Sequence, residues 1–516
     1  MITLSRPADD PQAYVARILE VNNTLHMVTQ LNPDALAIAA ELDVQRANGA
    51  IRGPLHGIPI LIKNNIATAD RMDNTAGSYA LAGARVPRDS TVAANLRKAG
   101  AIILGKANLS QWANYRSFNS SNGWSAIGGQ TQGAYYPGQD PSGSSSGSAV
   151  SSSLGLALAA LGTETDGSIL SPSDVNNVVG IKPTVGLTSR DLVVPISQHQ
   201  DTVGPIARTV KDAAYVLSAI AGMSPYDNYT DAIPFDTIPD YVAACDFSAL
   251  KGKRLGVPRN LIDLSMAAAA APIVPVFDAA LDILRAAGAT IVENTNFTGY
   301  DALHGGDYSS VVLEADFCTD LPKEYLSQLT YNPANVHSLA DVRNFTHADP
   351  LEDWPQRDTL IWDEALELGF DNTSPEFWSN YTMNTYLAGP LGVTGALQNY
   401  SLDALVLPTE FSPNFPALIG SPVVTVPLGA YPPDTPVQIN GFGNLNSRAP
   451  NIPFGISFMG PHFSEELLVG LAYAFEQRSM VRNTIVPYIQ PATELADVLN
   501  EGKRKVTVPG SRTWRS

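Results

Sequence analysis

The stretch that decides the fold reads STVAANLRKAGAIIL, residues 90–104. Its first part, Ser90–Ala99, has the pattern of a capped helix, and Gly100 is typical of the position that ends one. The apolar run Ala101–Leu104 then predicts a strand. A helix that leads directly into a strand is a repeating unit of α/β folds.

The same pattern recurs far along the chain. Pro275–Ala287 predicts a helix that ends at Gly288, and Ala289–Val292 predicts the strand after it. Further strands are predicted where apolar residues run almost without a break, at Ile58–Ile62, Leu402–Leu407 and Pro422–Val426. Such runs are typical of strands covered by helices on both faces. Covering helices are predicted at Val210–Ala221 and Ser464–Gln477, the second capped by Ser464.

The composition narrows the class of protein. The 516 residues are 44% hydrophobic and 16% charged, which predicts a globular chain with a large core. A formal net charge of -18 argues against nucleic acid as a partner, because phosphate binding needs clustered Lys and Arg. No apolar run reaches the roughly 18 residues of a membrane-spanning helix, so no membrane span is expected. The two cysteines, Cys245 and Cys318, leave a disulfide between them undecided.

Asn-x-Ser/Thr sequons are numerous, and they slightly favour a secreted glycoprotein whose leader is not in this sequence. They begin at Asn22, Asn108, Asn119, Asn228, Asn296, Asn344, Asn372, Asn380 and Asn399. The alternative is chance in a chain rich in Asn, Ser and Thr, and we expect the Asn108 sequon to be buried.

A tract of serine and glycine, SGSSSGSAVSSS at residues 142–153, has the composition of a flexible linker. It leads instead into the small apolar stretch Leu154–Leu161, which is suited to close packing in a core. Gly167 and Ser168 follow, and a Gly-Ser turn can place a hydroxyl where backbone N–H groups converge, as acyl transfer requires. Ser168 is therefore a candidate nucleophile, although it lacks the GxSxG motif of the α/β-hydrolases.

A serine nucleophile needs a base, and the seven histidines give no matching arrangement. The nearest is His56, for which a role in a turn or at a strand edge is favoured. The other candidate is Lys63, at the end of the predicted strand Ile58–Ile62. Taken alone it reads as a surface lysine. If it is buried, desolvation can lower its pKa toward 7 and leave a neutral amine.

Four segments together resemble the amidase signature family and its Ser–cisSer–Lys triad. They are GPLHGIPILIKNNI (53–66), PSGSSSGSAV (141–150), GTETDGSI (162–169) and VVGIKPTVGLTSR (178–190). The resemblance implies that Ser168 forms an acyl-enzyme, that Ser144 relays its proton through a cis peptide bond, and that Lys63 is the base. The text of residues 54–222 looks closest to peptide amidases, and segments around Ile419–Pro427 and Pro453–Gly460 are similar to the family's closing strands.

The resemblance also implies an oxyanion hole and its supports. The donors would be the backbone N–H groups of Thr165, Asp166, Gly167 and Ser168. Ser145 and Glu164 match positions that orient Ser144 and the glycine turn, for which ordinary turn chemistry is the alternative. Ala113 and Gln130 fall in segments that line the acyl pocket of relatives. Asp166 departs from the glycine of many members, so its side chain should point away or shape the leaving-group pocket.

The fold expected from this resemblance is one large α/β domain, a mixed twisted sheet covered by helices on both faces. Residues 54–222 would form the signature core, 225–395 a variable region on the substrate side, 402–480 the closing part of the core and 500–516 a tail. Relatives usually have one more helix before Ala13, so a clipped N-terminus is expected.

The predicted function is hydrolysis of a linear amide, with a small-molecule or peptide amide as substrate, no cofactor or metal, and a monomer or homodimer. Two other functions stay open: an amidotransferase component that delivers ammonia to a partner chain, and a catalytically silent binding protein on the same fold.

Overall fold

The computed structural model describes residues 9–264 and 272–500. Eleven strands form one mixed sheet in the order β1-β3-β2-β6-β8-β7-β12-β15-β11-β9-β10, and two short ribbons pair β4 with β5 and β13 with β14. The strands are β1 Val28–Leu31, β2 Pro59–Lys63, β3 Ile102–Ala107, β4 Trp124–Ser125, β5 Gly129–Gln130, β6 Ala159–Glu164, β7 Val179–Lys182, β8 Thr202–Ala207, β9 Arg254–Val257, β10 Thr290–Glu293, β11 Ala404–Pro408, β12 Val423–Ala430, β13 Gln438–Ile439, β14 Asn446–Arg448 and β15 Pro453–Met459.

Helices surround this sheet. In chain order they are α1 Asp9–Leu25, α2 Ala35–Ala47, α3 Thr91–Lys98, α4 Ser146–Ser153, α5 Leu170–Val175, α6 Val210–Ile220, α7 Arg259–Leu264, α8 Ile273–Ala286, α9 Tyr300–His304, α10 Tyr308–Asp320, α11 Leu339–Ala348, α12 Leu360–Glu367, α13 Pro375–Ala388, α14 Val393–Asn399, α15 Asn414–Leu418, α16 Glu465–Ser479 and α17 Leu495–Asn500.

Both faces of the sheet are covered, as the unbroken apolar strands predicted. Successive residues of β2 show this: Ile60 and Ile62 pack in one core cluster, and Leu61 between them packs in another. The first cluster includes Val92 of α3, and the second includes Val150 of α4. The predicted α/β fold with a mixed, helix-covered sheet is confirmed.

The predicted elements are present with small changes at their ends. The helix after Ser90 spans Thr91–Lys98, and the Ser90 hydroxyl accepts a hydrogen bond from the N–H of Ala93. One capping prediction is wrong. Ser464 does precede α16, but its hydroxyl donates to the carbonyl of Pro461 and makes no cap to the helix.

The serine and glycine tract is a buried helix, which excludes the linker interpretation. All eight residues of α4 are buried. Its serines bond to the neighbouring sheet, since the Ser148 hydroxyl donates to the Leu161 carbonyl over 2.9 Å and the Ser152 hydroxyl donates to the Ile206 carbonyl over 2.9 Å. Small hydroxylated residues thus let α4 lie close to β6 and β8, with the hydroxyls of Ser148 and Ser152 paired to strand carbonyls.

The asparagines of the sequons differ in their exposure to solvent. Asn108 and Asn372 are buried, and the Asn108 amide donates to Thr131 Oγ1 over 2.9 Å. These two cannot carry a glycan in the folded chain, while glycosylation at the other seven stays a prediction.

Cys245 and Cys318 are free thiols. No helix of the described residues is long and apolar enough to cross a membrane. The predicted tail, residues 500–516, lies outside the described residues except for Asn500.

Candidate active site

The candidate site forms where β2 and β6 end. The two strands are parallel neighbours, and Ile62 of β2 is in register with Leu161 of β6. Their carboxyl ends therefore lie side by side at one edge of the sheet. Lys63 is the last residue of β2, and Thr163 and Glu164 are the last two of β6.

The Lys63 side chain is completely buried and has three polar neighbours. Its Nζ lies 2.7 Å from Ser144 Oγ, 2.8 Å from Thr163 Oγ1 and 3.1 Å from the Thr163 carbonyl oxygen. The surface position that the local sequence favours for this lysine is therefore wrong, and the alternative of a buried amine is correct.

Burial lowers the pKa of Lys63 from its ordinary value of 10.5 to about 7. Desolvation of the ammonium is the main cause, and the negative charges of Asp201 and Glu164 oppose it. Because one pKa unit corresponds to about 1.4 kcal/mol, the folded protein favours the neutral amine by about 4–5 kcal/mol more than water does. At neutral pH a large fraction of Lys63 is thus an amine with a free electron pair.

Ser144 lies just before α4, and the peptide bond between Gly143 and Ser144 is cis, as the resemblance implied. The hydroxyl of Ser144 is fully buried against Lys63. A side chain on Gly143 has no room, since a Cβ there would lie 2.4 Å from Ser110 Oγ and 2.8 Å from Asn114 Nδ2. The glycine therefore lets the chain enter the site beside Ser144.

Ser168 closes the turn that links β6 to α5. The turn needs Gly167, whose φ of +80° is a conformation that residues with a side chain rarely adopt. The carbonyl of Ser168 accepts a hydrogen bond of 3.1 Å from the N–H of Ser145. This bond ties the Ser168 turn to the residue next to Ser144.

Glu164 holds the same turn from inside. Its buried carboxylate accepts hydrogen bonds from the N–H groups of Gly167 at 3.0 Å, Ile169 at 2.7 Å and Leu170 at 2.9 Å. Glu164 thus hydrogen-bonds to the glycine turn, and the supporting role expected of it in the site stays a prediction. The Gly167 N–H, however, is already bonded to Glu164, which argues against it as an oxyanion donor and leaves Thr165, Asp166 and Ser168 as the candidates.

Ser145 contacts Thr163 as well as Ser168. Its hydroxyl donates to the Thr163 carbonyl over 3.1 Å and accepts from the Thr163 N–H over 3.2 Å. Ser145 thus fastens the start of α4 to the end of β6. It fixes Ser144 through the backbone, since the side chains of Ser145 and Ser144 have no hydrogen bond to each other within the described residues.

The other predicted positions lie around this centre. Asp166 is exposed, and its carboxylate accepts a hydrogen bond of 2.9 Å from Asn414 at the start of α15. Ala113 lies in a turn where Trp112, Ala113 and Asn114 all have positive φ. The Asn114 amide donates to the side chain of Asn122 over 3.0 Å.

Gln130 is half-buried in β5, and its amide donates to the Asn122 carbonyl over 2.6 Å. Asn122 Oδ1 would lie 2.9 Å from a Cβ on Gly143. The segment of Ala113 therefore reaches Gly143 through Asn114, and Gln130 contacts the neighbouring Asn122. Substrate contact by Ala113 or Gln130 stays a prediction.

No histidine in residues 9–264 and 272–500, which include all seven, hydrogen-bonds to Ser144 or Ser168. The His56 ring is buried and bonds instead to backbone, with Nε2 2.9 Å from the Leu42 carbonyl oxygen and Nδ1 accepting from the Arg52 N–H over 3.3 Å. A structural role for His56, as predicted, agrees with these contacts.

Burial alone does not single out Lys63. Lys106 and Lys182 are also fully buried, and desolvation lowers their pKa values to about 7 and about 8. Lys106 Nζ donates to the Ile66 carbonyl over 2.6 Å and to Asn74 Oδ1 over 2.8 Å. Of these three lysines, Lys63 has the serine hydroxyl as a partner.

Two residues at the site were missed by the sequence analysis. Thr163 offers two acceptors to Lys63, and Asp201 accepts a hydrogen bond of 2.6 Å from the Thr165 hydroxyl. Thr163 lies within the segment GTETDGSI that resembles the family, but only the register of β2 with β6 shows that Thr163 faces Lys63. Asp201 is 36 residues from Thr165 in sequence and gave no signal.

A mixed α/β sheet that carries at one edge a buried lysine in contact with Ser144, and a backbone bond from the next residue to the turn of Ser168, is the arrangement expected of the amidase class. The sequence profile of the amidase family matches residues 12–469. The chain belongs to the amidase family, and the resemblance found in the sequence is confirmed.

Known members show how close the likeness is. A provisionally named amidase of Arthroderma benhamiae is 56% identical, over 95% of this chain and 82% of its own. The native peptide amidase from Stenotrophomonas maltophilia has the same fold, with a TM-score of 0.82, 38% identity, and coverage of 94% of this chain and 96% of its own. A glutamyl-tRNA(Gln) amidotransferase component of Chloroflexus aurantiacus is 38% identical, over 90% of this chain and 92% of its own.

The lowered pKa of Lys63 predicts a pH-dependent effect on stability. Between pH 7 and 10.5 the unfolded chain holds a proton on this amine that the folded chain lacks. The free energy of unfolding of the wild type should therefore rise with pH, relative to Lys63→Met, by about 1.4 kcal/mol per pH unit. Urea unfolding of both proteins at pH 7, 8 and 9 measures this difference.

The partly exposed Lys253 provides the matched control, because Lys253→Met should differ from the wild type by the same amount at each pH. A constant difference between Lys63→Met and the wild type would show that Lys63 titrates at its ordinary pKa.

Proposed function

We propose that this amidase-family enzyme hydrolyses linear carboxylic amides other than peptide bonds, through an acyl-enzyme on Ser168. The observation that carries the proposal is the buried Lys63 amine, with its pKa lowered to about 7, at 2.7 Å from Ser144 Oγ. A neutral amine next to a serine hydroxyl is a general base that works near neutral pH.

In the first half of the reaction, Ser168 Oγ attacks the amide carbonyl carbon. The Ser168 proton moves to Ser144 Oγ while the Ser144 proton moves to Lys63 Nζ. The tetrahedral intermediate then breaks its C–N bond, and Lys63 returns its proton through Ser144 to the leaving nitrogen. Ammonia or an amine departs, and the acyl group remains as an ester on Ser168.

In the second half, water attacks the ester and gives a proton to the same relay. The C–O bond to Ser168 breaks, the Ser168 oxygen recovers a proton, and the carboxylic acid leaves. The candidate donors for the oxyanion in both halves are the N–H groups of Thr165, Asp166 and Ser168, because that of Gly167 is bonded to Glu164.

The contacts of Lys63 fit both protonation states that this relay requires. An ammonium donates three hydrogen bonds, which matches the two oxygens of Thr163 and the hydroxyl of Ser144. A neutral amine donates two, to Thr163, and accepts one from the Ser144 hydroxyl. The proton can therefore pass between Ser144 and Lys63 without a change in the position of either residue.

A second function is favoured by one comparison, the 38% identity to a component of a glutamyl-tRNA(Gln) amidotransferase. Such a component would use the same residues to release ammonia from glutamine for a partner chain. Hydrolysis by the isolated chain distinguishes the two. Turnover of a C-terminally amidated peptide without any added protein supports the free-standing hydrolase, and glutaminase activity that requires an added partner would replace it.

The nucleophile can be identified by covalent labelling. A fluorophosphonate should add to the wild type at Ser168, because only an activated serine attacks phosphorus readily. Peptide mapping by mass spectrometry should find the adduct on Ser168, and Ser168→Ala should abolish labelling. Ser171, on the next turn and more exposed, is the matched control: Ser171→Ala should label like the wild type. An adduct on another serine, or none at pH 8, would contradict the proposal.

The base can be identified by substitution. Lys63→Ala should lower kcat at least about 10³-fold, since the general base is lost. Lys63→His should recover little of this loss, because the imidazole is too short to occupy the Nζ position. Steady-state kinetics on an amidated peptide measure both.

Two controls accompany these variants. Lys106→Met removes another buried amine, and His56→Ala removes the histidine nearest to a motif. Both should retain kcat within about tenfold in the folded fraction. If either lost as much activity as Lys63→Ala, the assignment of Lys63 would be wrong.

A further inference from the structure

A buried carboxylate, Asp201, contacts the turn that carries the nucleophile. Its Oδ1 accepts a hydrogen bond of 2.6 Å from the hydroxyl of Thr165, the first residue of the turn. Its Oδ2 accepts from the N–H groups of Ile196 at 2.8 Å and Ser197 at 3.1 Å. Both oxygens are thus used, one on the turn and one on the backbone of the loop that precedes β8.

This loop is itself held by α10, in the region predicted to be variable. The Ser197 hydroxyl donates to Asp316 over 2.5 Å, and the Gln198 N–H donates to Asp320 over 2.8 Å. The His199 ring lies 2.9 Å from Asp316. The position of Asp201, and through it that of Thr165, therefore depends on contacts with α10.

We infer that Asp201 is a positioning residue for the proposed amide hydrolysis: its carboxylate fixes Thr165 at the start of the nucleophile turn and acts on Lys63 by its charge. The inference rests on the proposed function, because it assigns Asp201 a task in the same site. Thr165 N–H is a candidate oxyanion donor, so a shift of this residue would affect the transition state more than substrate binding.

The charge of Asp201 provides a second, independent effect. Desolvation lowers the pKa of Lys63, and two negative charges raise it. Asp201 has the larger of these two effects and Glu164 the smaller. Burial raises the pKa of Asp201 itself to about 6, with Arg190 as the cation that opposes this. Asp320 lines the same cavity as Asp201, and burial raises its pKa to about 8. The other charged groups around this cavity are Asp191, Asp227, Lys323 and Glu324. At pH 7 Asp201 is therefore mostly ionised and Asp320 mostly neutral.

Open space lies next to Asp201 on one side. Asp201 lines a cavity of about 350 Å³ together with Arg190, Gln198, Asp320 and Lys323. The carboxylate thus lies between a polar cavity on one side and Thr165 on the other.

The test compares four variants with the wild type by the pH dependence of kcat/KM on a C-terminally amidated dipeptide. Asp201→Asn removes the negative charge that raises the pKa of Lys63. The acid limb, the part of the profile where kcat/KM rises with pH, should therefore move to lower pH by at least about 0.5 unit. Thr165→Val removes the hydroxyl and keeps the carboxylate. It should lower kcat about tenfold with little change in KM, and it should move the limb less than Asp201→Asn does.

Thr165→Ser restores the hydroxyl and should recover wild-type kcat. Asp191→Asn is the matched control, a buried carboxylate of the same loop that is paired with Arg88 at 2.6 Å and does not bond to Thr165. Its acid limb should coincide with that of the wild type.

Two results would overturn the inference: an acid limb of Asp201→Asn that coincides with the wild type, or full kcat in Thr165→Val. If Asp201→Asn fails to fold, the comparison of Thr165→Val with Thr165→Ser still tests whether the hydrogen bond from Thr165 to Asp201 positions the turn. Failure of the proposed function would look different, because the wild type itself would then neither hydrolyse the dipeptide amide nor label at Ser168.

Discussion

The burial of one amine is the constraint on which the site depends. Lys63 ends a strand that is enclosed on both faces, and removal from water lowers its pKa to about 7. An ammonium at this position would need strong negative partners, but its three direct contacts are uncharged oxygens of Ser144 and Thr163. The fold thus uses desolvation, the cost of burying a charge, to keep a lysine in its basic form.

The surrounding structure is arranged around this amine. The parallel pairing of β2 and β6 brings Thr163 to Lys63, and the small residues of α4 allow Ser144 to approach the same point. Glu164 then fixes the turn of Ser168 through three backbone N–H groups. Each of these contacts joins residues distant in the sequence or held by the sheet, so the site exists only in the complete fold.

Much of the fold could be predicted from the sequence, because helix caps, terminal glycines and unbroken apolar strands are local signals. For residues 90–104, the predicted ends of the helix and of the strand lie within a few residues of the observed ends. The capping by Ser464 failed because a hydroxyl can bond to a nearby carbonyl as readily as to a helix N–H. Ser168 and Lys63 were candidates from the residues alone, but Ser144 and the roles of all three came from the family resemblance, since locally Lys63 is typical of a surface residue. Thr163, Asp201 and the occupied N–H of Gly167 depend on strand register and side-chain direction, which have no local signature.

The central claim is that a neutral lysine amine is the base, and the pH dependence of kcat/KM on an uncharged amide tests it most directly. The free enzyme should be active only with Lys63 unprotonated, so kcat/KM should rise tenfold per pH unit at low pH and become constant above a midpoint near pH 7. A rise that continues to a midpoint near pH 10, the ordinary pKa of lysine, would contradict the account.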